Sequence, residues 1–190
     1  IEVSGGESVK TWSTLGDVLS RALASGCGRQ SVVVGIGGGA TCDLAGLAAH
    51  LLARGAPLVL VPTTLLAQAD AAIGGKCAVN SPEGRNLVGA FHPASDVIVD
   101  LDFLESLPER ETRCGLAEIV KIAIVRDADL FRRVVADEDT TATTLADAIR
   151  HKAAIVREDP FEAGARKVLN LGHTLGHALE SASNFSVSHG

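Results

Sequence analysis

A chain of 190 residues, 46% hydrophobic with little low complexity, is long enough to bury a real core and reads as globular, not disordered. A net charge of −6 with no basic block argues against a nucleic-acid footprint, and no apolar run approaches the roughly 18 residues of a membrane span. With no signal peptide either, a cytoplasmic protein of small-molecule chemistry is the remaining expectation.

The chain opens with a Gly-containing loop, Ile1-Glu-Val-Ser-Gly-Gly-Glu7-Ser-Val-Lys10, followed by an apolar-periodic helix over residues 11 to 25 (Trp12, Leu15, Val18, Leu19, Leu23). Ser31-Val-Val-Val-Gly-Ile36 is a β-branched run of the kind buried in a parallel sheet, and it ends in Gly37-Gly38-Gly39. An Ala- and Leu-rich helix from about 41 to 54 leads to a second strand-like run, Pro57-Leu-Val-Leu-Val-Pro62. Strand, Gly-rich turn, helix and strand form one right-handed crossover of a doubly wound α/β domain, whose ligand crevice lies at the carboxyl ends of the strands.

Gly35-Ile-Gly37-Gly-Gly-Ala40 fits the looser form of the dinucleotide fingerprint, in which bare backbone lets a pyrophosphate approach a helix N-terminus; a plain tight turn is the alternative. The acidic ribose partner expected about 20 positions later is missing, because the second run ends in Pro62-Thr63-Thr64. Further on, Asp70-Ala-Ala-Ile-Gly74-Gly75-Lys76-Cys77 resembles a phosphate loop but has Asp and Cys where the Walker pattern needs Gly and Ser or Thr. What remains is a Gly-rich loop carrying Lys76, with Arg85 and Asn86 after it, suited to phosphate and carboxylate oxygens or simply solvated. After a third apolar run, Val97-Ile-Val-Asp100, and Leu107-Pro108, the chain reads as helices alone, which puts a domain boundary near 108.

In the second half, Gly115-Leu-Ala-Glu118-Ile-Val-Lys121 sets a carboxylate and an amine three apart in an apolar helix, either as an ordinary ion pair or as a buried carboxylate that needs a cation. Lys152 and Arg166 could bring positive charge toward the last helix. There, Asn170, His173, His177 and Glu180 share one helical face, a way to hold a divalent metal with a third ligand from elsewhere; Glu118 and His189 are the candidates. Gly172 and Gly176 in the same stretch imply a close approach to the backbone. Cys27, Cys42, Cys77 and Cys114 are too scattered for a metal or redox motif and read as free, mostly buried thiols. Lack of any Met, and an end at Ser188-His189-Gly190, read as a piece of a longer protein.

Five stretches in order, Gly-Gly-Gly-x-x-x-Asp, Val-Pro-Thr-Thr-Leu-Leu-Ala-Gln, Gly-Gly-Lys-x-Ala-Val-Asn, Gly-Leu-Ala-Glu-Ile-Val-Lys and Leu-Asn-Leu-Gly-His-Thr-Leu-Gly-His-Ala-Leu-Glu, resemble the 3-dehydroquinate synthases of the sugar-phosphate cyclase superfamily. The resemblance implies a Rossmann-like, parallel-sheet NAD-binding α/β part at 1–108 and an all-helical metal-binding part at 109–190. It implies metal ligands Glu118, His173 and His189 for Zn or Co, with His177 and Glu180 outside the ligand set. NAD would meet Glu7, Lys10, Gly38, Gly39, Asp43, Thr63, Thr64, Asp70, Lys76 and Arg85, with Glu7 replacing the missing ribose acid. Lys121, Asn86 and His177 would hold the substrate phosphate, and Lys76, Lys152, Arg166 and Asn170 its carboxylate and ring hydroxyls. A homodimer is implied as well, with Arg54 reaching into the neighbouring active site.

The implied reaction converts 3-deoxy-D-arabino-heptulosonate 7-phosphate to 3-dehydroquinate by transient oxidation with NAD, phosphate elimination, re-reduction and intramolecular aldol closure. Arg85 and Cys77 stand where that family usually has Lys and Thr. Aminodehydroquinate synthases, 2-deoxy-scyllo-inosose synthases and 2-epi-5-epi-valiolone synthases share the scaffold and are the alternatives, with a metal-dependent alcohol or glycerol dehydrogenase as a second enzyme class. A non-catalytic NAD- or metal-binding module is the alternative from outside enzymology.

Overall fold

The computed structural model describes residues 1–136, 142–183 and 187–189. Helix α1 (Trp12–Ala24) starts where Thr11 accepts a hydrogen bond from the Thr14 amide at 3.1 Å. Strand β1 (Val33–Gly37) lies parallel to β2 (Leu58–Pro62), with Gly35 opposite Leu60, and α2 (Gly39–Leu51) connects them. The third sheet position is only β5 (Asp96–Val97), so most of the Val97–Asp100 run is not strand; Leu101–Leu104 turns into a 3-10 helix. This is the expected parallel α/β fold.

The expected Gly-rich loop at 70–86 is a different object. Residues Ala67–Ala71 form a π-helical turn, and Lys76–Ser81 and Gly84–Phe91 pair as an antiparallel hairpin, β3 and β4. Strand β3 is buried by Cys77, Ala78 and Val79, whereas β4 is exposed along most of its length and so carries little apolar alternation to announce itself. The opening loop docks on this hairpin, because Thr11 bridges Asn80 and the Asn80 amide donates to the Lys10 carbonyl at 2.8 Å.

Beyond Pro108 the described residues form helices α3 (Glu109–Arg126), α4 (Ala128–Val135), α5 (Ala142–Glu158) and α6 (His173–Ala182), with a 3-10 segment at Ala165–Asn170. Their core joins Ile119, Ile122, Leu130, Leu145, Ile155 and Leu169. Leu65 and Ala69 also belong to it, whereas Ala67 and Ala72 pack with Leu58 and Leu60 beneath the sheet. The turn at 65–72 therefore faces both hydrophobic centres, which seats Asp70 at their junction.

Helix α6 begins at His173, so Asn170 does not share its face, as the helical spacing had implied. Gly172 adopts φ +80°, a left-handed conformation open to Gly, and breaks the helical path between them. A side chain at Gly172 or Gly176 would meet nothing within 4 Å; the two glycines do not mark a close backbone approach among the described residues.

Candidate metal and nucleotide site

Three imidazoles meet at one end of α6. His173 and His177 project from that helix and His189 returns from the segment beyond it, with one ligand atom of each lying within 4.8 Å of the other two. Glu118, buried on α3, reaches the same place, its Oε1 lying 3.5 Å from His189 Nε2. Glu118 also pairs with Lys121 one turn along α3. The three imidazoles thus form the close group, and Glu118 joins it at His189. Nitrogen and carboxylate donors this close suit a single zinc-like ion with ligand bonds near ~2.0–2.2 Å.

The electrostatics follow from the same packing. Burial pushes the Glu118 carboxyl up, but His189 and Lys121 beside it prevail and hold it below the usual glutamate value. The Glu118 carboxylate, opposed by burial and helped by Glu180, raises His189 to about 9. Burial, with Lys121 nearby, lowers His173, which favours the neutral ring that a metal needs. A cavity of about 220 Å³ opens against this cluster, lined among others by Leu66, Arg85, Glu180, Ser188 and His189.

The residues expected to hold a nucleotide fall in a second cluster. Helix α2 starts at Gly38 and Gly39 with no side-chain cap, leaving its first amides available to an anion, and side chains there would crowd Thr64 and Ala71 at 3.1 and 3.2 Å. Lys10, 3% exposed, donates to Asp43 at 2.6 Å and to Asn86, and lies 3.6 Å from Glu7. Asn80 organises this group, its side chain donating to Glu7 at 2.8 Å and accepting from the Asn86 amide at 3.0 Å. Asn86, expected with Lys121 around a phosphate, accepts from Lys10. Thr63 donates its amide to Gly37, and Thr64 caps the turn that carries Asp70. Bare helix amides, a lysine and acidic partners at a strand end suit a dinucleotide.

A third group joins the two. Asp70 accepts from Lys152, and Lys76 pairs with Glu162. The second oxygen of Glu162 accepts from Asn170 at 2.9 Å, and Arg166 donates to the carbonyls of Gly74 and Pro160 at 3.0 and 2.8 Å. Lys76, Arg166 and Asn170 therefore converge on Glu162, a residue that sequence reasoning passed over. Glu162 sits in a polar stretch with no motif, and its partner Lys76 is 86 positions away. Arg54 is exposed just beyond the end of α2. All four thiols are free, and burial pushes Cys42 to about 12 and Cys77 to about 11, so neither is a nucleophile at neutral pH.

A family model described as 3-dehydroquinate synthase N-terminal matches residues 1–114, and one described as 3-dehydroquinate synthase C-terminal matches 115–190. The 3-dehydroquinate synthase of Thermobifida fusca is 44% identical over 198 residues, covering 100% of this chain and 54% of that protein. That of Xanthomonas axonopodis pv. citri is 45% identical over 193 residues, covering 97% and 52%. Among solved structures, a 2-epi-5-epi-valiolone synthase from Streptomyces hygroscopicus with NAD+ and Zn2+ bound superposes with a TM-score of 0.88 at 34% identity, over 98% of this chain and 55% of that one. A 2-deoxy-scyllo-inosose synthase complexed with carbaglucose-6-phosphate, NAD+ and Co2+ gives 0.86 at 33%, over 100% and 55%. The chain spans about half the length of the curated relatives it matches.

Proposed function

The chain belongs to the 3-dehydroquinate synthase family, and from that premise we propose that it supplies the nucleotide- and metal-binding parts of an enzyme converting 3-deoxy-D-arabino-heptulosonate 7-phosphate to 3-dehydroquinate with loss of phosphate. When bound, NAD would accept and return a hydride, and Zn2+ or Co2+ would act as a Lewis acid on substrate hydroxyls. Glu118, His173 and His189 hold the metal; the grouping of His173, His177 and His189, with Glu118 against His189, is the observation that carries the reading. The first turn of α2 at Gly38 and Gly39 takes the pyrophosphate, while Glu7, Lys10 and Asp43 take the adenosine side.

Around the substrate, Lys121 and His177 face the phosphate from beside the metal ligands. Lys76, Arg166 and Asn170 orient the carboxylate, a role supported by their present convergence on the carboxylate of Glu162. Lys152 keeps Asp70 ionised at the boundary between the two clusters. The division near residue 108 is supported by the change there from strands with helices to helices alone. Four free thiols and the lack, among the described residues, of any helix long and apolar enough to cross a membrane support a cytoplasmic setting. A homodimer in which exposed Arg54 reaches the neighbouring site completes the proposal.

The test is an assay of the full-length protein with the heptulosonate phosphate, following phosphate release together with NADH absorbance. Phosphate release without accumulating NADH is the expected result. Stoichiometric NADH would mark a dehydrogenase instead, and turnover of a sugar phosphate without a carboxylate would move the chain to one of the other cyclases.

A further inference from the structure

His189 is held from both sides. Its Nδ1 lies 2.8 Å from Glu180 Oε1, while its Nε2 faces Glu118 Oε1 at 3.5 Å. A carboxylate can only accept, so the contact with Glu180 requires the proton on Nδ1. When the ring gives up its other proton to bind a metal, the lone pair is therefore on Nε2, the side that faces Glu118, another ligand of the proposed set.

The cost of this arrangement points the same way. Glu180 is 7% exposed, and a buried carboxylate is unfavourable unless it is paired. Its other oxygen lies 3.9 Å from Arg85 at the start of β4, too long for a strong direct bond. The short contact is the one to His189. Glu180 also lies three residues after His177 on α6, so one helix carries two imidazoles and the carboxylate that seats the third.

Resting on the metal assignment above, we propose that Glu180 is a positioning residue for metal binding: without being a ligand, it fixes His189 in the tautomer and orientation that present Nε2 to the ion. Outer partners of this kind set the orientation of ligating imidazoles, and their loss typically weakens metal affinity by ~10–100-fold.

The test compares full-length wild type, Glu180→Ala, Glu180→Gln and His189→Ala for Zn2+ affinity by competition with a chromophoric chelator, and for the visible spectrum of the Co2+ form. Glu180→Ala is expected to weaken Zn2+ binding by ~10–100-fold while keeping the same Co2+ ligand number. Glu180→Gln, whose amide oxygen can still accept from Nδ1, should recover most of that loss, a rescue that a purely electrostatic tie to Arg85 would not give. NMR of the cadmium-loaded wild type adds a readout that depends on no variant folding: coupling to His189 Nε2 supports the inference, and coupling to Nδ1 overturns it. Equal Zn2+ affinity in wild type and Glu180→Ala, with His189→Ala impaired, overturns the role of Glu180 alone. A wild type that binds no metal overturns both this inference and the assignment beneath it.

Discussion

Lys152 reaches across 82 residues to donate to both the carboxylate and the backbone carbonyl of Asp70. Lys152 is 5% exposed, and Asp70 sits on the turn that faces both hydrophobic centres. Burial pushes the Asp70 carboxyl up, but the charges of Lys152 and Lys121 prevail and hold it below the usual aspartate value. Removing one partner strands the other, so Lys152→Met should destabilise the chain by ~3 kcal/mol in urea unfolding, the low end for a buried pair because Asp70 keeps some exposure. Adding Asp70→Asn to that variant should restore part of the loss. An unchanged midpoint for Lys152→Met would show that the pair holds nothing together.

Two glycines make a paired prediction of opposite sign. A side chain at Gly115 on α3 would lie 2.6 Å from Leu65 Cβ and 2.7 Å from the Leu66 amide nitrogen, so the backbone itself would have to move. Gly115→Ala should therefore cost ~1–3 kcal/mol by overpacking. Gly16, exposed on α1 with nothing within 4 Å of the added carbon, should gain ~0.5–1 kcal/mol on replacement by Ala. Thermal unfolding of the two variants checks both; a stabilised Gly115→Ala would mean that the contact between α3 and the 65–72 turn is loose.

The contrast between what the sequence discloses and what it hides runs along burial. Leu58, Leu60, Ile119 and Ile122 are buried in regular elements, so continuous apolar runs disclosed the parallel strands and the apolar stretch of α3. Strand β4 is missed because its outward residues obey no alternation, and its partner β3 is hidden by the glycines before it. The shared face of Asn170 and His173 fails for a local reason, the left-handed Gly172. At the site, spacing brought His173 and His177 together because one helix carries them. Glu118 and His189 could be chosen only as candidates, since their approach depends on how α3 meets the segment after α6. Glu162 left no trace, because a carboxylate in a polar turn looks solvated until Lys76, Arg166 and Asn170 arrive around it.

Acid should probe the junction of α3 and α4 at Asp127. Its carboxylate accepts from the Leu130 and Asp129 amides at 3.0 and 2.9 Å and from His151 at 2.9 Å, bonds that hold its pKa below the usual aspartate value, the Leu130 amide most of all. A carboxyl depressed in the folded chain contributes stability above its unfolded pKa and loses it as pH falls through the folded value. Asp127→Asn should therefore melt below wild type at neutral pH, with the gap closing as the pH drops under the usual aspartate range. Melting curves from neutral to strongly acidic pH decide this. A gap that stays constant would show that the contribution of Asp127 does not depend on its charge.

Metal should stabilise the folded chain, because the donors meet only when α3, α6 and the segment after it are assembled. The ligands are scattered in the unfolded chain, so zinc at about 100 times its Kd should add ~2.7 kcal/mol, seen as a rise in melting temperature that a chelator reverses. Glu118 can join without leaving Lys121, because Lys121 pairs with Oε2 while Oε1 already lies 3.5 Å from His189 Nε2. Replacing His173 or His189 by Ala should abolish the zinc-induced rise. His177→Ala discriminates further: if His177 serves the phosphate it should keep most of the rise, and if it loses as much as His189→Ala, the ligand set must be rewritten to include all three imidazoles.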